Sequence, residues 1–302
     1  MREFTVNHLD VELYVQVHGD ANQPTLLFLH GFPDCQQSWH HQVEALKRDY
    51  QVVTFDMRGV GQSTWSARRH AYHMDSLLAD IDAVINAVVG HDGQVHLVGH
   101  DWGSVIGWSF ISDAGYARRV LSYTSMSGPH LALMLDWAKR NLQSATPTGL
   151  AGALRQGLFS WYVYLFNVPV LPEVMFKLVG QPLWQWLLKS NGVAADDTYL
   201  NASQKEVENI CLNPINLYRQ NPLNPPEVPA ASSIHVPVQL IIPRGDRFIS
   251  DQLFEFYDEY VVNLRRHFIE GKHWAHHSHK EDFNRLVKQF VDTVEQQQSR
   301  AA

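Results

Sequence analysis

The sequence predicts an α/β fold: a mostly parallel central sheet flanked by helices, with a helical cap inserted into it. Three observations carry that reading. Short apolar runs alternate with stretches of helical periodicity through residue 128, the pattern of crossover units that build parallel sheets. After Gly128-Pro129 the chain turns helical, rich in tryptophan and tyrosine, and punctuated by prolines as far as about residue 229. Apolar strand-like runs then return at 237–242 and 264–269, so the sheet resumes after the insertion. The expected division is a core of residues 1–129 and 230–302 and a cap of residues 130–229.

In order along the chain, residues 3–7, 11–18, 25–29 and 51–55 read as strands, the last two separated by a helical pattern over 38–47. Residues 74–89 carry apolar side chains at helical spacing, 95–98 form a short apolar run, 105–111 resume a helix, and 120–125 read as strand. An amphipathic helix over 281–294 closes the core. The most apolar stretch, 157–188, is interrupted by Pro169, Pro172, Glu173, Lys177 and Pro182, so no transmembrane segment is expected. Contact of this stretch with a membrane surface, and pairing into a homodimer through an apolar cap face, stay open.

At 302 residues and 45% hydrophobic content the chain is long enough for one large core with an inserted lobe. A net charge of −7 gives no basic footprint, so nucleic acid is not an expected partner. Cys35 and Cys211 match no metal or redox spacing, and the opening residues lack the basic-then-apolar order of a secretory signal, which together point to the cytoplasm. His267, His273, His276, His277 and His279 crowd together without any recognised zinc spacing. No metal and no cofactor are expected, and all of these histidines except His273 read as surface residues.

Gly99-His100-Asp101-Trp102-Gly103 follows an apolar run and opens a helix, with the spacing of a nucleophile elbow. A strand turning sharply into a helix forces the central residue into an unfavourable backbone conformation and presents its side chain, here an aspartate. Ser104 lies outside that position, so a serine mechanism lacks its nucleophile. The other reading of Asp101 is a plain helix cap. His30-Gly31-Phe32-Pro33 follows the run TLLFLH, where a loop donating to an oxyanion belongs, and Asp56-Met-Arg-Gly-Val-Gly-Gln-Ser63 follows the next strand.

HGFP at 30–33, D-x-R-G-x-G-x-S at 56–63 and GHDWG at 99–103, in this order and spacing, resemble the motifs of the epoxide hydrolases of the α/β-hydrolase fold, and the likeness extends over nearly the whole chain. The N-terminal half also looks like the hydrolase module of bacterial proteins in which an epoxide-hydrolase-like domain precedes a short-chain dehydrogenase. The resemblance implies that Asp101 attacks an epoxide, that Asp246 in Pro243-Arg-Gly-Asp246 is the acid after a late strand, and that His273 in Gly271-Lys-His273-Trp274 follows the last one. It implies that Tyr162 and Tyr218 reach from the cap to the substrate oxygen, with Tyr164 the weaker candidate for the first role. Phe32 and Trp102 would supply backbone N–H donors, and His30, Gly31 and Pro33 would shape the donor loop. Considered without the family, the aromatic stripe at 161–166 reads as core packing.

The expected partners are a small apolar epoxide and water, and the expected reaction is hydrolysis to a vicinal diol through an aspartyl ester. Haloalkane dehalogenases share the aspartate, histidine and acid and a tryptophan beside the nucleophile, as Trp102 is here. Against that alternative, Phe32 stands where those enzymes place a polar or indole halide donor. A ligand-binding protein that keeps the fold without turnover is a third reading, and a histidine and acid aimed at a carboxylate weigh against it.

Overall fold

The computed structural model describes residues 1–144 and 146–301. Eight strands form one sheet: β1 (Arg2–His8), β2 (Val11–His18), β3 (Thr25–Leu29), β4 (Gln51–Phe55), β5 (Val95–His100), β6 (Val120–Met126), β7 (Val238–Pro243) and β8 (Leu264–Ile269), in the order β1-β2-β4-β3-β5-β6-β7-β8. The β1–β2 and β2–β4 pairs are antiparallel, and every pair from β4 to β8 is parallel. β3, β4 and β5 are buried along their whole length, because helices cover both faces of a parallel sheet and leave no side for water. β2 instead alternates buried and wetter positions, as a strand with one solvated face does.

The two faces bury separate cores. Leu26, Phe28, Val52 and Val98 pack with α1 (His40–Leu46) and the long C-terminal helix, residues 280–301, through Val43, Phe283 and Val287. Their strand neighbours Leu27, Leu29, Val53 and Leu97 face the opposite way, toward α2 (Met74–Val89) and α3 (Trp102–Ser112), through Leu77, Ile81 and Ile106. Every residue of α3 from Trp102 to Ile111 is buried, so the helix that follows the elbow is held on all sides.

Three helical segments differ in their bounds from the sequence reading. The segment expected to be helical over 38–47 is a 3₁₀ turn at Gln36–Trp39 followed by α1. α3 starts at Trp102, directly after Asp101, and the C-terminal helix runs on to Ala301.

Past α4 (Ala114–Ala117) and β6, the chain leaves the sheet for α5 (Leu131–Ser144), α6 (Pro147–Phe159), α7 (Trp161–Asn167), α8 (Leu171–Ser190), α9 (Gln204–Leu212) and α10 (Ile215–Gln220), and then enters β7. Ser203 and Glu206 form a reciprocal capping box that fixes the start of α9. α8 carries Pro182 and has non-helical dihedrals at Val179, and it meets α7 at a bend of 112°. Among the described residues, no single helix is long and apolar enough to cross a membrane. After β8 come α11 (Ala275–Ser278) and α12 (Lys280–Ala301).

Candidate active site

The C-terminal ends of β3, β5, β7 and β8 converge on one point, the place where parallel sheets of this kind bind ligands. Asp101, at the end of β5, has φ 51° and ψ −121°, outside the ordinary regions for a non-glycine residue, and the surrounding packing holds it there. Its carboxylate makes no capping bond to α3; Oδ1 instead accepts the backbone N–H of Phe32 at 2.8 Å. The helix-cap reading is thereby excluded. Room for this contact depends on Gly31, where a β-carbon would lie 2.4 Å from the Asp101 β-carbon and 2.8 Å from the His100 carbonyl oxygen. Gly103 plays the same part below the elbow, since a β-carbon there would sit 2.1 Å from the Leu29 carbonyl oxygen.

His273 follows β8. Its Nε2 lies 3.3 Å from Asp101 Oδ2, and its Nδ1 lies 2.9 Å from Asp246 Oδ2. Asp246 follows β7, and its Oδ1 also accepts the N–H groups of Phe248 and Ile249 at 2.8 and 3.1 Å, which fixes the carboxylate before it meets the imidazole. Burial alone would push the His273 imidazole down, but Asp246 and Asp101 together outweigh it and raise it to about 10. His100 reaches the carbonyl of His273 through Nε2 at 2.9 Å and so steadies the backbone that carries the imidazole.

Tyr162 on α7 and Tyr218 on α10 line the same cavity as Asp101 and His273, a space of about 180 Å³. The two rings meet edge to face at 5.7 Å, and Tyr218 packs the same way on Phe32 and Trp102 at 5.3 and 5.1 Å. Burial, with the charge of Asp101 beside them, raises both phenols and keeps them protonated. The rest of the wall is almost entirely apolar, including Phe166, Met175, Leu183 and Phe248. Tyr164, the weaker candidate, points away from all this and is 74% exposed, so the stripe at 161–166 is not a core stripe: Phe166 is buried while Trp161, at the cavity wall, is 61% exposed.

The donor loop is built by bonding around His30, whose Nε2 accepts the Met57 N–H at 3.0 Å while Nδ1 donates to the Gly31 carbonyl at 3.0 Å. Burial lowers its imidazole to about 4, so it is a neutral strut. Phe32-Pro33 is a cis peptide, and the Pro33 carbonyl accepts the indole N–H of Trp184 on α8 at 2.9 Å. The motif at 56–63 is structural as well: Arg58 forms a buried two-pronged pair with Asp80 at 2.6 and 2.7 Å.

Two features escaped sequence reasoning. Asp34, directly after HGFP, is fully buried and accepts from Tyr199 Oη at 2.8 Å and from Trp274 Nε1 at 2.9 Å, so it joins the helical insertion to the residue beside His273. Desolvation raises its carboxyl to about 6. A charged residue inside an otherwise apolar loop was the signal available. The second is a correction: His276 and His277, expected at the surface, are buried, and the His276 ring lies 4.7 Å from Trp39 and 4.4 Å from His100.

Residues 24–280 match the alpha/beta hydrolase fold family, and the chain belongs to that family. Epoxide hydrolases are among the proteins the chain is similar to. It is 28% identical to the "Probable oxidoreductase EphD" of Mycobacterium tuberculosis over 96% of its own length and 50% of that protein, so it spans about half the length of this relative. It is 28% identical to "Epoxide hydrolase 4" of Mus musculus, over 90% of this chain and 74% of the relative. The crystal structure of Bacillus megaterium epoxide hydrolase in complex with an inhibitor superposes with a TM-score of 0.77 and 26% identity, covering 96% of this chain and all of the other.

Proposed function

We propose that the protein opens small apolar epoxides to vicinal diols through an ester on Asp101, with residues 130–229 acting as a cap over a core of 1–129 and 230–302. The observation that carries this is the position of one carboxylate between an amide donor and a histidine, beneath two protonated tyrosines in an apolar cavity. An aspartate is ionised at neutral pH, with an ordinary pKa of about 3.9, and needs no base to attack carbon.

Asp101 Oδ2 attacks a ring carbon, the carbon–oxygen bond breaks, and the oxygen takes a proton from Tyr162 or Tyr218. Esterification removes the negative charge of Asp101, one of the causes holding the His273 proton. The imidazolium then sheds that proton, restoring the tyrosine hydroxyl, and becomes a neutral base. It next takes a proton from water, whose oxygen attacks the Asp101 carboxyl carbon. Negative charge develops on Oδ1, where the Phe32 N–H already donates and the Trp102 N–H opens α3. Collapse expels the second diol oxygen, which takes the proton from His273, and the carboxylic acid returns its proton to His273 to restore the ion pair. Asp246 holds the imidazole in register throughout.

The test is diol formation from a panel of aryl and alkyl epoxides by the wild type and Asp101→Asn, both confirmed folded. Diol from the wild type alone is expected. Halide release from haloalkanes without diol would replace this reading with dehalogenation, and unchanged kinetics in the variant would remove Asp101 from the chemistry.

A further inference from the structure

Away from the cavity, four metal-type donors meet where the insertion rests on the sheet. His40 and His41 open α1, His277 lies on α11 four residues past His273, and Asp197 sits between α8 and α9. The Asp197 carboxylate is their common neighbour. Oδ2 is 2.9 Å from His41 Nε2 and 3.2 Å from His277 Nδ1, and Oδ1 is 3.4 Å from His40 Nε2. One ligand atom from each residue lies within 4.8 Å of all the others.

His41 and His277 each share a proton with Asp197 Oδ2, whereas the contact from His40 does not. His40 Nδ1 faces the Gln37 carbonyl at 3.0 Å, and because a carbonyl only accepts, that nitrogen carries the proton. In the neutral ring Nε2 is then a lone pair turned toward Asp197 Oδ1, acceptor against acceptor. A cation between them resolves the conflict. A backbone carbonyl behind the imidazole is also the outer partner by which metal-bound histidines are oriented, and the Tyr199 N–H, 2.9 Å from Asp197 Oδ1, orients the carboxylate in the same way.

We propose that His40, His41, Asp197 and His277 bind a divalent transition-metal ion of the zinc type. Three imidazoles and one carboxylate suit zinc and do not suit magnesium or calcium, which take oxygen ligands. Ligand atoms about 2.0–2.1 Å from a tetrahedral zinc stand about 3.4 Å apart; the contacts to Asp197, two on Oδ2 and one on Oδ1, run from 2.9 to 3.4 Å, and the four donor atoms lie within 4.8 Å of one another. Four protein donors fill the tetrahedron and leave no position for a reacting water, so the site is structural. His277 and Asp197 form the buried floor, while His40 and His41, 31% and 22% exposed, give the ion a way in from solvent. The bound ion ties α1 and α11 to the segment between α8 and α9.

The experiment is a zinc titration of chelator-treated protein against a chromophoric competitor, with His41→Gln and Asp197→Asn beside a control in which the exposed His70 and His91 become glutamine. One equivalent bound by the wild type and the control is expected. Affinity in both cluster variants should fall by more than the roughly 10- to 100-fold that loss of an outer partner causes. Magnesium and calcium should not compete. No stoichiometric zinc on the wild type, equal affinity in the cluster variants, or loss of binding in the control overturns the proposal. X-ray absorption of the zinc-loaded wild type decides the matter if a variant fails to fold: three imidazoles and an oxygen are expected, and a sulfur ligand refutes the site.

Discussion

Replacing His273 with glutamine should separate the two halves of the reaction. In the proposed reaction the attack on the epoxide uses Asp101 Oδ2 and the two tyrosines, and none of these reaches the substrate through the imidazole. Hydrolysis of the ester, in the same proposal, depends on Nε2, which stands 3.3 Å from Oδ2. Loss of a positioned general base costs about 10²- to 10⁴-fold in the step it serves. If the two steps run at comparable rates in the wild type, that loss leaves at least about 99% of the variant as the ester at saturating epoxide. Intact-protein mass spectrometry should therefore show one adduct of the epoxide's mass on His273→Gln, with steady-state diol formation lowered by about half that factor. The adduct should be missing from His273→Gln/Asp101→Asn. A variant that neither forms the adduct nor makes diol, although folded, would mean that the histidine takes part in the first step, and the division of labour drawn here would be wrong.

Other outcomes follow from the same geometry. Tyr162→Phe and Tyr218→Phe keep the edge-to-face ring packing and remove only the hydroxyls, so each should lower kcat/KM toward the roughly 10²- to 10³-fold loss that removing one preorganised donor causes; wild-type rates in both would reject the tyrosines as donors. The raised His273 pKa gives a stability contribution that is complete below the ordinary histidine value of about 6.5 and disappears as pH rises toward about 10, so the melting-temperature gap between wild type and His273→Gln should narrow over that interval. A gap constant with pH would contradict the ion pairing. Trp184→Ala removes a fully buried indole and its bond to Pro33, and should destabilise the protein by about 3–5 kcal/mol in denaturant unfolding, whereas a loss below about 1 kcal/mol would show that α8 is not anchored there.

The strands and the elbow were legible because their causes are local. A strand buried on both faces reads as a largely apolar run, as TLLFL and QVVTF do, and a sharp strand-to-helix turn needs glycine where backbones nearly touch, as at Gly103 beneath Leu29. Asp246 and His273 came from the family's order of motifs and from no pattern in the residues themselves. What stayed hidden was set by contacts between distant parts of the chain. His276 reads as a surface residue until Trp39 and His100 are folded onto it, and Asp197 gives no hint that three imidazoles from elsewhere surround it. Asp34 was hidden in the same way, because both of its donors lie far along the sequence.

β6 and β7 are parallel neighbours, yet about 110 residues, 127–237, separate them along the chain. Closing a flexible loop costs entropy that grows only with the logarithm of its length, about 0.6 kcal/mol for each doubling. Compared with an ordinary crossover of about 25–30 residues, a connection four times as long weakens the pairing of these strands by only about 1.2 kcal/mol. The sheet is therefore nearly indifferent to how much chain is spliced in at this point. Changes of length between the segments that carry Tyr162, Trp184, Tyr199 and Tyr218 can therefore reshape the cavity wall at little loop-closure cost to the sheet, while those four side chains keep the insertion tied to the elbow beneath it.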